Sequence, residues 1–281
     1  MEEIKFSVCI CVYDGDVASN FKEALDSLIN QEAAPNEVVI VIDGPVSIDI
    51  VRVIDGYKVR LSQTQLSLQT YYIKDNVGHG EARRVALGIA KYPIVALMDA
   101  DDISRPYRFR KQLQVFKDRN DISVVGGQIL EIDHITLTPL FMRNVPEKNC
   151  DIKEYMRTRC PLNQMTVMFK KDDVNRVGGY RDFYHNEDYY LWVRMAIAGC
   201  KFYNIPDVLV DVRVDDNFYS RRGGLKYFFS ECRLQKIMYK GGLIRLHTLT
   251  FNIVVRFFLQ LVFPTSFRAL IFKYFFRKEG V

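Results

Sequence analysis

Asp99, Asp101 and Asp102 crowd together at the end of the apolar run Ile94-Val95-Ala96-Leu97-Met98, and carboxylates this close repel one another unless a cation neutralises them. Hard oxygen ligands suit Mg²⁺ or Mn²⁺, ions that can also bridge to the phosphates of a substrate. The chemistry indicated is a metal-diphosphate site. A plainer role stays open for Asp102, because Ile103-Ser104-Arg105-Pro106 follows it and an Asp there could cap a helix. Capping accounts for one carboxylate and not three.

Five apolar residues bounded by polar ones read as a buried strand, and open α/β sheets bind their ligands at the carboxyl ends of such strands. Phe6 to Val12 predicts a first strand ending at Tyr13-Asp14-Gly15-Asp16, followed by a helix with Phe21, Ala24, Leu25 and Leu28 on one face. Glu37 to Ile42 reads as a strand ending at Asp43-Gly44-Pro45, Leu68 to Ile73 as another, and Gly80 to Ala90 as a helix. This alternation predicts a largely parallel, Rossmann-like sheet with acidic strand ends lining a nucleotide-sized crevice. A short helix over Arg110 to Lys117 and strands over Ser123 to Gly127, Thr166 to Phe169 and Val208 to Val212 follow, in a half expected to present the acceptor. Asn186-Glu187-Asp188 opens a helix that turns Leu191, Met195 and Ala198 to the core; acidic residues in a first turn ordinarily serve the helix dipole.

The 281 residues are 48% hydrophobic, enough for one large domain and an appendage. Six cysteines form no CxxC pair or zinc spacing, and Met1-Glu2-Glu3-Ile4-Lys5 does not read as a cleavable signal, so a reducing cytosolic setting is expected. Cys9 and Cys11 would share one strand face as small apolar packing. Residues 213 to 281 carry 13 Lys and Arg against 4 Asp and Glu. From Phe251 to Phe276 the cations alternate with Phe-Phe pairs and aliphatic clusters, which favours an anionic membrane surface over nucleic acid. Arg256 or Pro264 interrupts every window long enough to span a bilayer, which leaves an in-plane amphipathic anchor or packing on the catalytic domain or a second subunit.

Together these segments resemble a family 2 glycosyltransferase with the GT-A fold, from Phe6 to about Arg222. Ser7 to Asp14 is similar to that family's first strand and nucleotide-binding end, which implies donor contacts at Cys11, Val12 and Tyr13. Val41-Ile42-Asp43-Gly44 resembles its Asp-Asp-Gly turn with Ile42 replacing the first Asp, leaving Asp43 to hold the base or ribose. Asn76-Val77-Gly78 and Glu81-Ala82-Arg83-Arg84 resemble its Asn-x-Gly and Ala-Arg-Asn segments, so Asn76 and Arg83 are expected near the nucleotide; without the resemblance, Arg83 reads as a solvated helix charge. Asp99-Ala100-Asp101-Asp102 resembles the DxD motif. The resemblance makes Asp101 the direct ligand of Mn²⁺ or Mg²⁺, with Asp99 beside it on the nucleotide-sugar. Glu187-Asp188 resembles the acidic pair before a helix, which implies Asp188 as catalytic base.

A closer likeness, carried by Asp43 to Pro45, Met98 to Arg105, Cys160 to Phe169 and Asn186 to Trp192, is to the AmsE-like exopolysaccharide and O-antigen subgroup. It implies acceptor contacts at Asn163, Gln164, Gly179, Tyr180 and Trp192, an acceptor on undecaprenyl diphosphate, and peripheral attachment to the cytoplasmic face of the bacterial inner membrane. Many members carry a metal-completing His after the last core strand; Val212-Arg213-Val214-Asp215-Asp216 has none. Arg213, Arg221 and Arg222 are candidates for the diphosphate or the acceptor's phosphates, with a juxtamembrane basic patch as the other reading.

The resemblance implies a catalytic domain over 1–220, divided into a nucleotide-sugar half (1–105) and an acceptor half (106–220), followed by a helical membrane-associating region over 221–281. The implied reaction transfers a hexosyl group from a UDP-sugar with inversion. A sugar-nucleotide pyrophosphorylase would call for a basic, Gly-rich loop after the first strand, where Tyr13-Asp14-Gly15-Asp16 is acidic. A non-catalytic scaffold with a transferase fold would not need Asp101 and Asp188.

Overall fold

The computed structural model describes residues 4–214 and 224–263, and the backbone of 278–279. The first half alternates as expected: β1 (Phe6–Val12), α1 (Ala18–Ile29), β2 (Glu37–Asp43), α2 (Ile48–Leu61), β3 (Ser67–Ile73), α3 (His79–Ile89) and β4 (Ile94–Asp99). The second half runs β5 (Ile103–Ser104), α4 (Arg108–Asp118), β6 (Val124–Asp133), β7 (Pro139–Arg143), α5 (Asn149–Met156), β8 (Met168–Lys170), α6 (Lys171–Arg176), α7 (Glu187–Ile197) and β9 (Phe202–Val214). A helical hairpin, α8 (Leu225–Lys240) and α9 (Leu246–Phe257), comes next, and β10 (Lys278–Glu279) joins the sheet edge.

One sheet runs β10-β7-β6-β8-β4-β1-β2-β3, with β9 pairing β6 and β5 beside this path. From β4 to β3 every pairing is parallel, as strands joined by crossover helices must be. The expected largely parallel sheet ends at β4. β7 follows β6 directly as its antiparallel hairpin partner, β8, entered after α5, pairs antiparallel with both β4 and β6, and β6 and β9 are parallel.

All of β2 is buried, whereas β3 exposes Tyr71 and Tyr72, as befits an edge strand. Alternation along β1 sends Val8, Ile10 and Val12 to a layer shared with Phe21, Leu25, Ile54 and Phe109. Cys9 faces the other layer, with Ala82, Ala86, Leu191 and Trp192, where burial pushes its thiol well up. Asp99 follows Val95 and Leu97 onto that second face, under α3 and α7.

β6 outruns the expected strand because Gly126-Gly127 does not end it. A Cβ at Gly127 would stand 2.4 Å from Leu209 Cδ1, so the missing side chain is what lets β9 lie alongside. The C-terminal hairpin packs on the rest of the fold, one of the arrangements the sequence left open. α8 buries Leu234 and Met238, and Arg256 of α9 pairs with the buried Glu231 and donates to the carbonyl of Thr158 at 2.7 Å. Asn252 donates to the carbonyl of Arg157 and to Gln235, each at 2.8 Å. The expected boundary near residue 220 lies outside the described residues, as do Arg221 and Arg222.

Candidate active site

The acidic end of β4 meets two helix N-termini. Arg83, one turn into α3, donates to Asp99 Oδ1 at 3.0 Å and to Glu187 Oε1 at 3.3 Å. A single guanidinium therefore ties the donor-side carboxylate to the acidic pair that opens α7. Its side chain is 11% exposed, so these contacts are poorly screened. Burial opposes its charge, and the carboxylates of Asp99 and Glu187 overcome that, holding the guanidinium firmly protonated. The two helices approach at Gly80, where a Cβ would fall 3.2 Å from Glu187 Cβ.

Asp188 lies next to Glu187, half-buried, with its carboxylate accepting from the Tyr189 amide at 2.6 Å. Its pKa is pushed up to about 6, by burial first and then by the Glu187 charge, against the opposing charge of Arg83. A carboxylate so placed is ionised at neutral pH yet basic enough to accept a proton usefully.

On the donor side, Asp101 is half-buried and Asp102 fully buried. Asp102 accepts from the Arg213 backbone N–H at 3.1 Å, and burial raises its carboxyl well above the usual range. It caps no helix: α4 begins only at Arg108, after Tyr107. Asp16, in the loop after β1, has its pKa pushed up to about 7 by burial, with the charges of Asp101 and Asp99 adding to it and the Tyr13 amide, donating at 2.9 Å, opposing. This crowding of hard oxygen donors suits a divalent cation held by Asp101 and Asp99. Among the described residues no three His, Cys, Asp or Glu side chains form a ready-made metal cage, so phosphate oxygens and water would have to complete the coordination.

The strand ends place several other expected donor residues nearby. Cys11 and Tyr13 are half-buried; burial pushes the Cys11 thiol up to about 12, so it stays neutral and is no nucleophile. Val12 and Ala100 are buried and can offer only backbone. Asn76 is exposed and donates to the Asp43 carbonyl at 3.1 Å. Asp43 itself serves the protein: its two oxygens accept from the amides of Val77 and Gly78, at 2.8 and 2.9 Å, fixing the loop into α3.

Two sets of expected contacts are placed elsewhere. Arg213 is not open to a diphosphate, since its guanidinium bonds the Asp101 carbonyl and the Glu23 carboxylate and its side chain is 3% exposed. Asn163, Gln164, Gly179, Tyr180 and Trp192 are all buried, so an acceptor does not reach them in this conformation. They belong to the buried layer at α7, Trp192 on the helix itself. Asn163 donates to the Gly127 carbonyl at 2.8 Å, Gln164 to the Tyr180 hydroxyl at 2.7 Å, Arg194 to the Gly179 carbonyl at 2.6 Å, and Trp192 packs on Phe169. Sequence reasoning passed over Asp16 and also His79, which meets the Tyr13 ring edge-on at 5.8 Å. Asp16 was visible as part of an acidic loop, but only the β1–β4 register brings it to Asp99.

Residues 7–175 match the glycosyl transferase family 2 model, and residues 94–276 the related glycosyl transferase family group 2. The chain is 35% identical over 269 residues to a UDP-Gal:alpha-D-GlcNAc-diphosphoundecaprenol beta-1,3-galactosyltransferase of Escherichia coli, covering 96% of this chain and 95% of that one. It is 33% identical over 232 residues to the amylovoran biosynthesis glycosyltransferase AmsE of Erwinia amylovora, covering 83% and 85%. S. aureus TarS 1–349 in complex with UDP-GlcNAc superposes with a TM-score of 0.68 over 96% of this chain and 75% of that chain, at 17% identity, a likeness of fold. In a longer TarS structure the chain spans 46% of its relative's length. The mixed α/β sheet is thus the GT-A fold that the motifs implied, and, with a family match over more than half its length and full-length relatives above 30% identity, the chain belongs to glycosyltransferase family 2.

Proposed function

We propose that this glycosyltransferase moves a hexosyl group from a UDP-sugar to a sugar carried on undecaprenyl diphosphate, with inversion, in the assembly of a bacterial surface polysaccharide. The observation that carries the mechanism is the carboxylate of Asp188, raised to about 6 and tied through Glu187 and Arg83 to the acidic end of β4. The donor and acceptor classes are supported by the name of the E. coli relative, and polysaccharide assembly by that of the Erwinia relative.

In the proposed reaction an acceptor hydroxyl attacks the anomeric carbon as the bond to UDP breaks, UDP leaving with the electron pair. The hydroxyl proton passes to Asp188. The Arg83–Glu187 pair anchors the start of the helix that carries the base, the Tyr189 amide holds its carboxylate, and Arg83 adds positive charge where the diphosphate would lie. A Mn²⁺ or Mg²⁺ ion held by Asp101 and Asp99 would, when bound, supply Lewis-acid neutralisation of the departing UDP. Cys11, Val12, Tyr13, Asn76 and the Ala100 backbone would border the nucleotide-sugar.

The same reading puts the protein at the cytoplasmic face of the inner membrane. α8 and α9 expose Leu225, Phe229, Leu246, Phe251 and Phe257 in the basic part of the chain, a composition suited to an anionic surface. Among the described residues no helix is long and apolar enough to cross a membrane.

The deciding experiment measures UDP release from a panel of UDP-hexoses with Mn²⁺ or Mg²⁺ and a GlcNAc-diphosphate-lipid acceptor, beside Asp101→Ala and Asp188→Asn. Acceptor-dependent release that fails in both variants is the expected result. Release that persists in folded Asp188→Asn would remove Asp188 as the base.

A further inference from the structure

Where α8 crosses the segment leading into α7 there is a cleft of about 230 Å³ lined by Phe183, Tyr184, Lys226, Phe229, Ser230 and Arg233. Two features set it apart from ordinary surface. Lys226 Nζ lies 4.3 Å from the centre of the Tyr184 ring and the Arg233 guanidinium 5.1 Å from that of Phe183, yet neither cation has an acidic partner among the described residues. Further, the first turn of α8 holds no acidic residue and no side-chain cap, and carries Lys226 instead, which places a cation at the positive end of the helix dipole. Uncompensated positive charge of this kind is lowered in energy by an anion. Phe229, 63% exposed, adds an apolar edge beside the two exposed cations.

The cleft is also joined to the catalytic helix. Ser230 donates to the Tyr184 carbonyl at 2.7 Å and accepts from Asn186 Nδ2 at 3.3 Å. Asn186 immediately precedes Glu187 and Asp188, so the wall of the cleft and the start of the base-bearing helix are one short peptide.

We propose that this cleft binds the diphosphate of the lipid-linked acceptor, with Lys226 and Arg233 on the phosphates and Phe229 against the first isoprene unit. The assignment rests on the acceptor class proposed above. It replaces Arg213, whose guanidinium is engaged inside the fold. Size agrees, since pockets for whole drug-sized molecules run to ~300–1,000 Å³ and this smaller one suits a headgroup at the head of a chain that continues outside. A diphosphate held here leaves the attached sugar to extend along the Asn186 peptide toward Asp188.

The test compares two acceptors that share the same GlcNAc: a short prenyl-diphosphate form, soluble without vesicles, and a neutral alkyl glycoside. The readout is the ratio of kcat/KM for the diphosphate form to that for the neutral form. Lys226→Ala combined with Arg233→Ala should lower this ratio about tenfold, about what two partly exposed ion pairs supply. Lys236→Ala combined with Lys240→Ala, which removes two cations from the same helix outside the cleft, should leave it unchanged. An unaltered ratio in the cleft double variant, or an equal fall in the Lys236→Ala, Lys240→Ala variant, overturns the proposal. So does a cleft double variant that loses only its binding to phosphatidylglycerol vesicles, which would assign the cations to membrane lipid. If wild-type protein releases UDP with neither acceptor, the functional reading itself fails, an outcome distinct from wild-type turnover with an insensitive ratio.

Discussion

In the proposed reaction Asp188 is the base and Arg83 its charged neighbour, and both roles are open to test one side chain at a time. Asp188→Asn keeps the shape and removes the base, and should lower kcat by about 10² to 10⁴ while the thermal midpoint at neutral pH holds or rises, because a buried charge is gone. With a carboxyl pKa of about 6 the base is protonated and inactive below that pH. The acid limb of kcat/KM should therefore rise through about pH 6 and level above it. The charge of Arg83 holds this pKa down, so Arg83→Met should move the limb to higher pH as well as lower the rate, which a pH profile of the two proteins reads directly. The motif around Arg83 was legible in the sequence, but its task was not. On α3 alone it is one charge among several, and only α7, over a hundred residues later, supplies Glu187.

At the scale of elements, the meeting of α3 and α7 depends on the missing side chain at Gly80. Gly80→Ala gains helix propensity and should leave stability within about 1 kcal/mol of wild type, yet the added methyl displaces Glu187 by a few tenths of an ångström. A fall of about tenfold in kcat with little change in donor KM is expected, since misplacing a catalytic group is costly when binding is intact. The first βα units could be read from hydrophobic period because each buries its own stripe locally. The β6–β9 half was harder. The expected strand stops at Gly127, because only β9 pressing against Gly126-Gly127 shows that it runs on to Asp133, and the buried amides of Asn163 and Gln164 are polar residues whose partners are distant in sequence. The residues expected to contact the acceptor, Trp192 among them, are buried for that reason: polarity and aromaticity in a motif do not say whether a side chain faces the interior.

For the whole molecule, the hairpin of α8 and α9 is held by the buried pair Glu231 and Arg256. Glu231→Ala leaves an unneutralised guanidinium among carbonyls and should cost about 3–5 kcal/mol, measurable by urea unfolding; Glu231→Ala with Arg256→Met should recover much of the loss. If the exposed face of the hairpin meets anionic lipid, flotation with phosphatidylglycerol vesicles should fall steeply as salt rises and be absent with phosphatidylcholine alone. The net charge of the C-terminal part raised the expectation of such a surface from the sequence, whereas nothing there pointed to the attachment to the loop after α5 through Arg157 and Thr158.

That attachment fixes a distance. Because Arg256 and Asn252 are anchored to the loop after α5, the hairpin cannot swing out without exposing a charge pair and stranded carbonyls. Whatever flat surface receives its outer face receives the whole catalytic body at one height and one tilt. The reach from that surface to Asp188 is then set by the protein, as a fixed ruler, and an acceptor sugar carried on that surface, as proposed above, would have to match it.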